Sequence, residues 1–224
     1  GFYPTSIRDA VDMTKIASKF ASELVAALAD AEAPTNQPSD NVKDNIDRFR
    51  HALQTVGDAD DTQETRSTLP KDAADWLNEA LGELNGTRSF NDAVVMAAKA
   101  ASWYQIYNDD KTSDSKESSP MRDLASGMYA ARLIGPHRGL VQSDQVLAGL
   151  FLLRKELHYP LHQHQSTEIY FAASGSVQIQ HGINGKPETL LPGQVSLTPS
   201  NRLHALAMDD RPVLILWVWL GEFG

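Results

Sequence analysis

The stretch Leu161-His162-Gln163-His164-Gln165-Ser166-Thr167-Glu168-Ile169-Tyr170 decides how this 224-residue chain is read. His162 and His164 alternate by two, so on an extended strand both imidazoles leave the same face, as two ligands of one ion require. Glu168 opens a further strand past the Gln165-Ser166-Thr167 turn, and Tyr170, two residues on, shares its face. A third imidazole arrives from a distant segment at His204, after Pro199. Three neutral imidazoles and one carboxylate make a donor set for a single ion, with room left for water or substrate. The expected metal ligands are therefore His162, His164, Glu168 and His204. A lone His-x-His pair is usually polar surface, so the metal reading depends on the rest of the pattern. The chain has no cysteine, so thiolate ligands and disulfides are excluded and any metal is held by nitrogen and oxygen. Such sites accept Zn, Mn, Fe, Co or Ni, so the cofactor expected is one divalent transition metal ion.

Outward from this stretch, the hydrophobic period is near 2. Runs suited to strands are Met128–Ile134, Val146–Leu153, Glu168–Ala173, Val177–His181, Gln194–Leu197 and Val213–Leu220, and Asn184-Gly185 is a hairpin signal between two of them. Many short strands at this spacing indicate a β-barrel or sandwich. Upstream the period is near 3.6. Ile16, Phe20, Leu24 and Leu28 form one stripe; Val42, Ile46, Phe49, Leu53 and Val56 form another, behind the capping oxygens of Ser39 and Asp40. Pro70 precedes a third helix with Trp76, Leu77, Leu81 and Leu84, and Ser89 with Asp92 resembles a capping box for a fourth carrying Val94, Val95 and Ala98. The polar run NDDKTSDSKESSP cannot bury a core and reads as a linker or loop. The expected organisation is a helical region over 1–107, a linker over 108–120 and a barrel with the metal site over 121–224, an α+β chain.

Residues 1–120 hold 12 Lys and Arg against 21 Asp and Glu, while 121–224 hold 8 against 8, so the net charge of -9 is entirely N-terminal. An acidic half, a neutral half and no basic cluster argue against nucleic acid and anionic membranes as partners. No apolar run approaches the roughly 20 residues needed to span a bilayer. No secretory apolar core follows Gly1, from which a cytoplasmic location is expected. The helical half is a candidate lid, homodimer contact or cover for the barrel's open side.

His162-x-His164-x3-Glu168-x6-Gly175 and Gly193-x5-Pro199-x4-His204 resemble the two half-motifs of the cupin superfamily, which implies a jelly-roll barrel. Three positions depart from the pattern: Glu156 stands where the first motif opens on glycine, Asn201 where the second has glycine, and Met208 where it ends on asparagine. Asparagine tolerates positive φ better than most residues, so the Asn201 turn is expected to survive. The aromatics narrow the resemblance. Tyr159-Pro160 upstream of the histidines, Tyr170 two after the glutamate, and His204-Ala205-Leu206 leading to Trp217-Val218-Trp219-Leu220-Gly221 are similar to the cupin-type dimethylsulfoniopropionate lyases and their lyase-like relatives, over residues 127–224. That resemblance implies β-elimination of a small zwitterion to dimethyl sulfide and acrylate. The metal would bind the substrate carboxylate, with Tyr170 as general base and Tyr159 and Trp219 as substrate-binding aromatics. A phenol beside a cation can have its pKa lowered enough to act as a base. Trp217 is expected to be core. Open beside this reading are a lyase-like enzyme on another small carboxylate, with a pocket shaped by Met128, Phe151 and Ile179, a metal-dependent dioxygenase, and a non-catalytic binding barrel.

Overall fold

The computed structural model describes residues 7–34, 39–59, 67–107, 118–221 and 223. In chain order the elements are α1 (Ile7–Asp30), α2 (Ser39–Ala52) with a 3-10 turn (Leu53–Thr55), α3 (Lys71–Gly82), α4 (Arg88–Ala100), β1 (Trp103–Tyr104) and α5 (Ser118–Gly127). Strands follow: β2 (Met128–Ile134), β3 (Val146–Leu153), β4 (His158–His162), β5 (Thr167–Ser174), β6 (Val177–His181), β7 (Glu188–Leu190), β8 (Val195–Thr198), β9 (His204–Met208) and β10 (Val213–Leu220). They form a six-stranded sheet, β1-β2-β3-β10-β5-β8, and a four-stranded sheet, β4-β9-β6-β7. Every pairing within them is antiparallel. This is the expected α+β architecture, helices first and a two-sheet barrel after.

Alternation along the large sheet explains where its residues go. One face carries Leu150, Leu152, Ile169, Phe171, Leu214, Leu216 and Val218, which join Phe20, Leu24, Phe49 and Val94 of the helices in one buried cluster. The opposite face carries Met128, Phe151, Tyr170, Ile215 and Trp217, which meet Tyr159, Val177, Ile179, Leu190 and Leu206 of the small sheet in a second. Strands buried on both faces read as near-continuous apolar runs, as VLAGLFLL and VLILWVWL do. Each fully buried aliphatic or aromatic side chain contributes about 1.5–3 kcal/mol relative to exposure, so the helices and the small sheet both anchor this layer.

Several local expectations change. Strands β2, β3, β6 and β10 coincide with the expected runs. Strands β1, β7 and β9 lie outside the expected runs, β1 and β7 having two and three residues, while the strand expected to carry both His162 and His164 is β4, which ends at His162. Asn184-Gly185 does lie in a hairpin turn, but the strand it returns to is β7, with Val177 opposite Leu190. Gly185 is required there, because a Cβ would fall 1.9 Å from the His181 carbonyl. The N-cap of α4 is Thr87, not Ser89; extended Thr87 aims its hydroxyl back to accept from the Phe90 N–H at 3.1 Å. Ser89 is already helical, and its hydroxyl donates to Glu23 on α1 at 2.5 Å. The side chains of Ser39 and Asp40, and residues 108–117 of the expected linker, lie outside the described residues. From Ser118 on, the expected linker is instead the start of α5.

Two departures from the glycine pattern have a backbone answer. Asn201 has φ 60 and Glu156 has φ 59, so both adopt the left-handed conformation in which glycine is usual. Asparagine tolerates it; for glutamate it costs about 1–2 kcal/mol. The turn before β4 therefore keeps its shape despite the substitution.

Candidate metal centre

His162 ends β4 and His204 begins β9, and the two are paired directly across the strands. His164 lies just past the end of β4, in the turn before β5, rather than on the strand itself. The turn nonetheless returns its ring to the same side: the His164 and His204 centroids are 5.0 Å apart, and those of His162 and His204 4.0 Å. Ligand nitrogens of His162, His164 and His204 all lie within 4.8 Å of one another. His181, paired with His204 from the other side, does not join them; its Nε2 is bonded to the Thr198 hydroxyl at 2.8 Å.

Each of the three rings is oriented by its own backbone. The Nδ1 of His162 meets the Pro160 carbonyl at 2.8 Å, that of His164 the Ser166 carbonyl at 2.9 Å, and that of His204 the Arg202 carbonyl at 2.8 Å. A carbonyl only accepts, so every Nδ1 carries the proton, and in the neutral ring Nε2 is left with its lone pair. Two of these Nε2 atoms face the same carboxylate oxygen: Glu168 Oε1 is 3.5 Å from His164 and 3.2 Å from His204. His164 Nε2, His204 Nε2 and Glu168 Oε1 are buried without a hydrogen-bond partner. Lone pairs aimed at one another in a buried site repel unless a cation lies among them, whether a proton on an imidazole or a metal ion. The three imidazoles therefore could hold a metal ion, with Glu168 Oε1 beside two of them.

The electrostatics carry the same signature. Burial works against the charged form of Glu168, but the facing imidazoles more than offset it and hold the carboxyl at about 2. Burial also opposes protonation of His164, yet Glu168 beside it raises the pKa. His162 is pushed down to about 4 by burial and by His204, and His181 likewise to about 4 by burial, His204 and Arg202. At neutral pH His162 is thus already the neutral species a metal requires.

A small cavity of about 150 Å³ opens over the centre, lined among others by Phe151, Tyr159, His162, Glu168, Tyr170 and Trp219. Tyr170 is buried, and its phenol faces Glu168; burial and that carboxylate push its pKa well above the ordinary value. The phenol is therefore protonated while the Glu168 charge is unmatched. Tyr159 stacks on His162 with centroids 3.8 Å apart. Trp219 lies 4.8 Å from the His164 ring, and its indole N–H donates to Glu168 Oε2, leaving Oε1 turned to the histidines. Trp217, one alternation away, is buried and stacks on Phe151 at 4.0 Å. Of the residues expected to shape the pocket, Phe151 lines it, whereas Met128 and Ile179 are buried in the inner core.

The sequence reading missed Tyr107. It comes from the segment after β1 and lines the cavity with Ile106, its hydroxyl 2.6 Å from that of Tyr159. The polar run beginning at residue 108 hid it, since a lone aromatic at the edge of such a run has no periodicity to mark it.

The dimethylsulfoniopropionate lyase family profile matches residues 41–215. A dimethylsulfoniopropionate lyase, DddQ of Ruegeria pomeroyi, is 30% identical over 135 residues, which are 60% of this chain and 62% of that one. The alignment thus spans less than two thirds of the curated relative. The crystal structure of DddQ from Ruegeria pomeroyi DSS-3 superimposes with a TM-score of 0.64 at 24% identity, over 93% of both chains. A structure from a study of the lyases RdDddP and RnDddQII gives 0.67 at 19% identity, over 93% of this chain and 94% of that one. The superpositions speak for the fold, including the helices ahead of the barrel. With three convergent imidazoles on a two-sheet barrel and a profile match across most of its length, the chain belongs to the dimethylsulfoniopropionate lyase family.

Proposed function

We propose that the protein is a metal-dependent carbon–sulfur lyase that splits dimethylsulfoniopropionate into dimethyl sulfide and acrylate, with Tyr170 as general base. The observation that carries the reading is the alternation on β5. It sets Glu168 and Tyr170 side by side on the face that lines the cavity, beside three imidazoles whose Nδ1 atoms are all committed. His162, His164, Glu168 and His204 would hold the ion. A bound divalent ion would supply Lewis acidity toward a substrate carboxylate oxygen, and positive charge that offsets Glu168 and lowers the neighbouring phenol.

The remaining steps belong to the chain. Tyr170, as phenolate, takes the proton from the carbon next to the carboxylate. The pair from that C–H bond forms the C=C bond of acrylate as the C–S bond breaks. Sulfur leaves with the C–S pair as neutral dimethyl sulfide, so no acid is needed at the leaving group, and Tyr170 returns its proton to solvent. Tyr159 and Trp219 offer ring faces to the sulfonium, each worth roughly 0.5–2 kcal/mol in a desolvated site. Trp219 also fixes Glu168 through its indole N–H, and Tyr107 fixes Tyr159.

The test is release of dimethyl sulfide and acrylate from dimethylsulfoniopropionate by metal-loaded protein, with and without a chelator, in air and under anaerobic conditions. Equal turnover with and without oxygen and loss with chelator are expected. Turnover that needs oxygen would favour dioxygen chemistry at the same donor set, and absence of dimethyl sulfide from loaded protein would refute the substrate.

A further inference from the structure

The inner face of the large sheet carries a cation that the metal centre does not use. Pairing registers place Arg132 on β2, Gly149 on β3, Trp217 on β10 and Tyr170 on β5 in one rung across four neighbouring strands. Met128 and Ala130, which precede Arg132 at steps of two, belong to the inner core, so alternation turns Arg132 to the same side as Tyr170. Three strand spacings put their backbones about 14 Å apart. Gly149 leaves the space between them to the ring of Trp217, since a Cβ there would lie 2.6 Å from it.

Arg132 is half-buried and held on two sides. Its Nε donates to the Tyr104 hydroxyl and its Nη1 to the Pro136 carbonyl, both at 2.9 Å. Arg138 covers the Tyr104 ring from 4.3 Å, adding a second positive charge. Neither arginine is in an ion pair among the described residues. Two of the five N–H groups of the Arg132 fork are spent, and the remaining edge is oriented without a carboxylate of its own. A cavity of about 690 Å³ opens there, lined by Arg132, His137, Asp144, Trp219 and Phe223. Asp144 is the acidic group on this wall, and its carboxylate accepts from Gln145 at 3.3 Å. Trp219 lines both this outer cavity and the one at the metal centre.

We propose that the outer cavity is a carboxylate-binding subsite in which Arg132 receives the anionic end of a small carboxylate on its way past Trp219. As a substrate route it rests on the lyase reading above; as an anion site it stands on Arg132 alone. The fork's planar donors suit a carboxylate, and Tyr104 and Pro136 fix their direction beforehand, so little is lost in ordering the side chain on binding. An ammonium at this position keeps the charge but not the fork.

The experiment uses metal-loaded full chain with propionate as probe and propionamide as its uncharged control, both followed by ligand-observed NMR, alongside dimethylsulfoniopropionate kinetics. Arg132→Gln is expected to weaken propionate about tenfold and leave propionamide unchanged. It should raise KM about tenfold with kcat within twofold, and Arg132→Lys should recover only part of the loss, since it restores the charge but not the fork. Propionate affinity equal to the parent in Arg132→Gln would overturn the proposal. So would equal losses in both variants with a lowered Tm, which would mark Arg132 as a strut for Tyr104 and Pro136. If the parent releases no dimethyl sulfide, the lyase reading fails, and the propionate comparison still decides the subsite.

Discussion

The two faces of the six-stranded sheet are built from the same strands and do opposite things. On β5, Ile169, Phe171 and Ala173 point outward into the apolar layer against the helices, and Phe171 meets Phe90 edge to face at 5.6 Å. Alternating with them, Glu168 and Tyr170 point inward to the cavity beside the imidazoles. The outer face packs mainly against apolar side chains of the helices and contributes stability. The inner face near the mouth carries buried polar atoms without partners, which reduce stability unless a ligand satisfies them. The period of two lets one strand hold both without either intruding on the other.

Tyr170→Phe tests the inner face most severely. Turnover should fall by about 100-fold or more, the loss of a general base, while metal content stays at the parent level. Equal turnover would remove Tyr170 from the mechanism. Phe171→Ala tests the outer face one residue away. It should cost about 3 kcal/mol or somewhat more in unfolding free energy and leave metal content and kcat unchanged in the folded fraction. A variant that keeps its stability but loses metal would mean that the two faces are not independent.

The smaller effect is in pH. In metal-free protein the raised His164 contributes stability that is complete below the unfolded value near 6.5 and is lost as pH rises through its folded value. Glu168, depressed to about 2, contributes stability that is complete above the unfolded carboxyl value and is lost as pH falls through it. His162 and His181, both at about 4, contribute stability at neutral pH that declines as pH falls below 6.5. One group thus weakens the alkaline side and three weaken the acid side. Tm measured in chelator should peak near pH 6.5 and fall more steeply toward acid. Saturating divalent ion should abolish the alkaline decline, because ligation requires His164 without its proton. A metal-free Tm that climbs steadily to pH 9 would contradict the assigned pairing of His164 with Glu168.

What the sequence made legible follows from the physics of each signal. Strands buried on both faces announce themselves by unbroken apolar runs, which is why β3 and β10 were bounded to the residue. The bounds of strand β4 were obscured because its five residues show no regular burial period and include Pro160, although it carries the first histidine. His164 faces the site from a turn, so strand alternation gave the right side for an incomplete reason. Tyr107 and Tyr104 depend on where a distant segment docks, with Trp103 opposite Ala131 and Tyr104 opposite Ala130, and no local pattern encodes that. No local pattern marks Arg132 within its apolar strand; the register alone puts it level with Tyr170.

The most direct test of the account is metal content measured by elemental analysis on parent and His204→Ala proteins loaded and washed in parallel, with circular dichroism to establish that both are folded. The account predicts one divalent ion per parent chain and a large loss in the variant, since His204 faces both His162 and Glu168. Full stoichiometry retained in folded His204→Ala would contradict it.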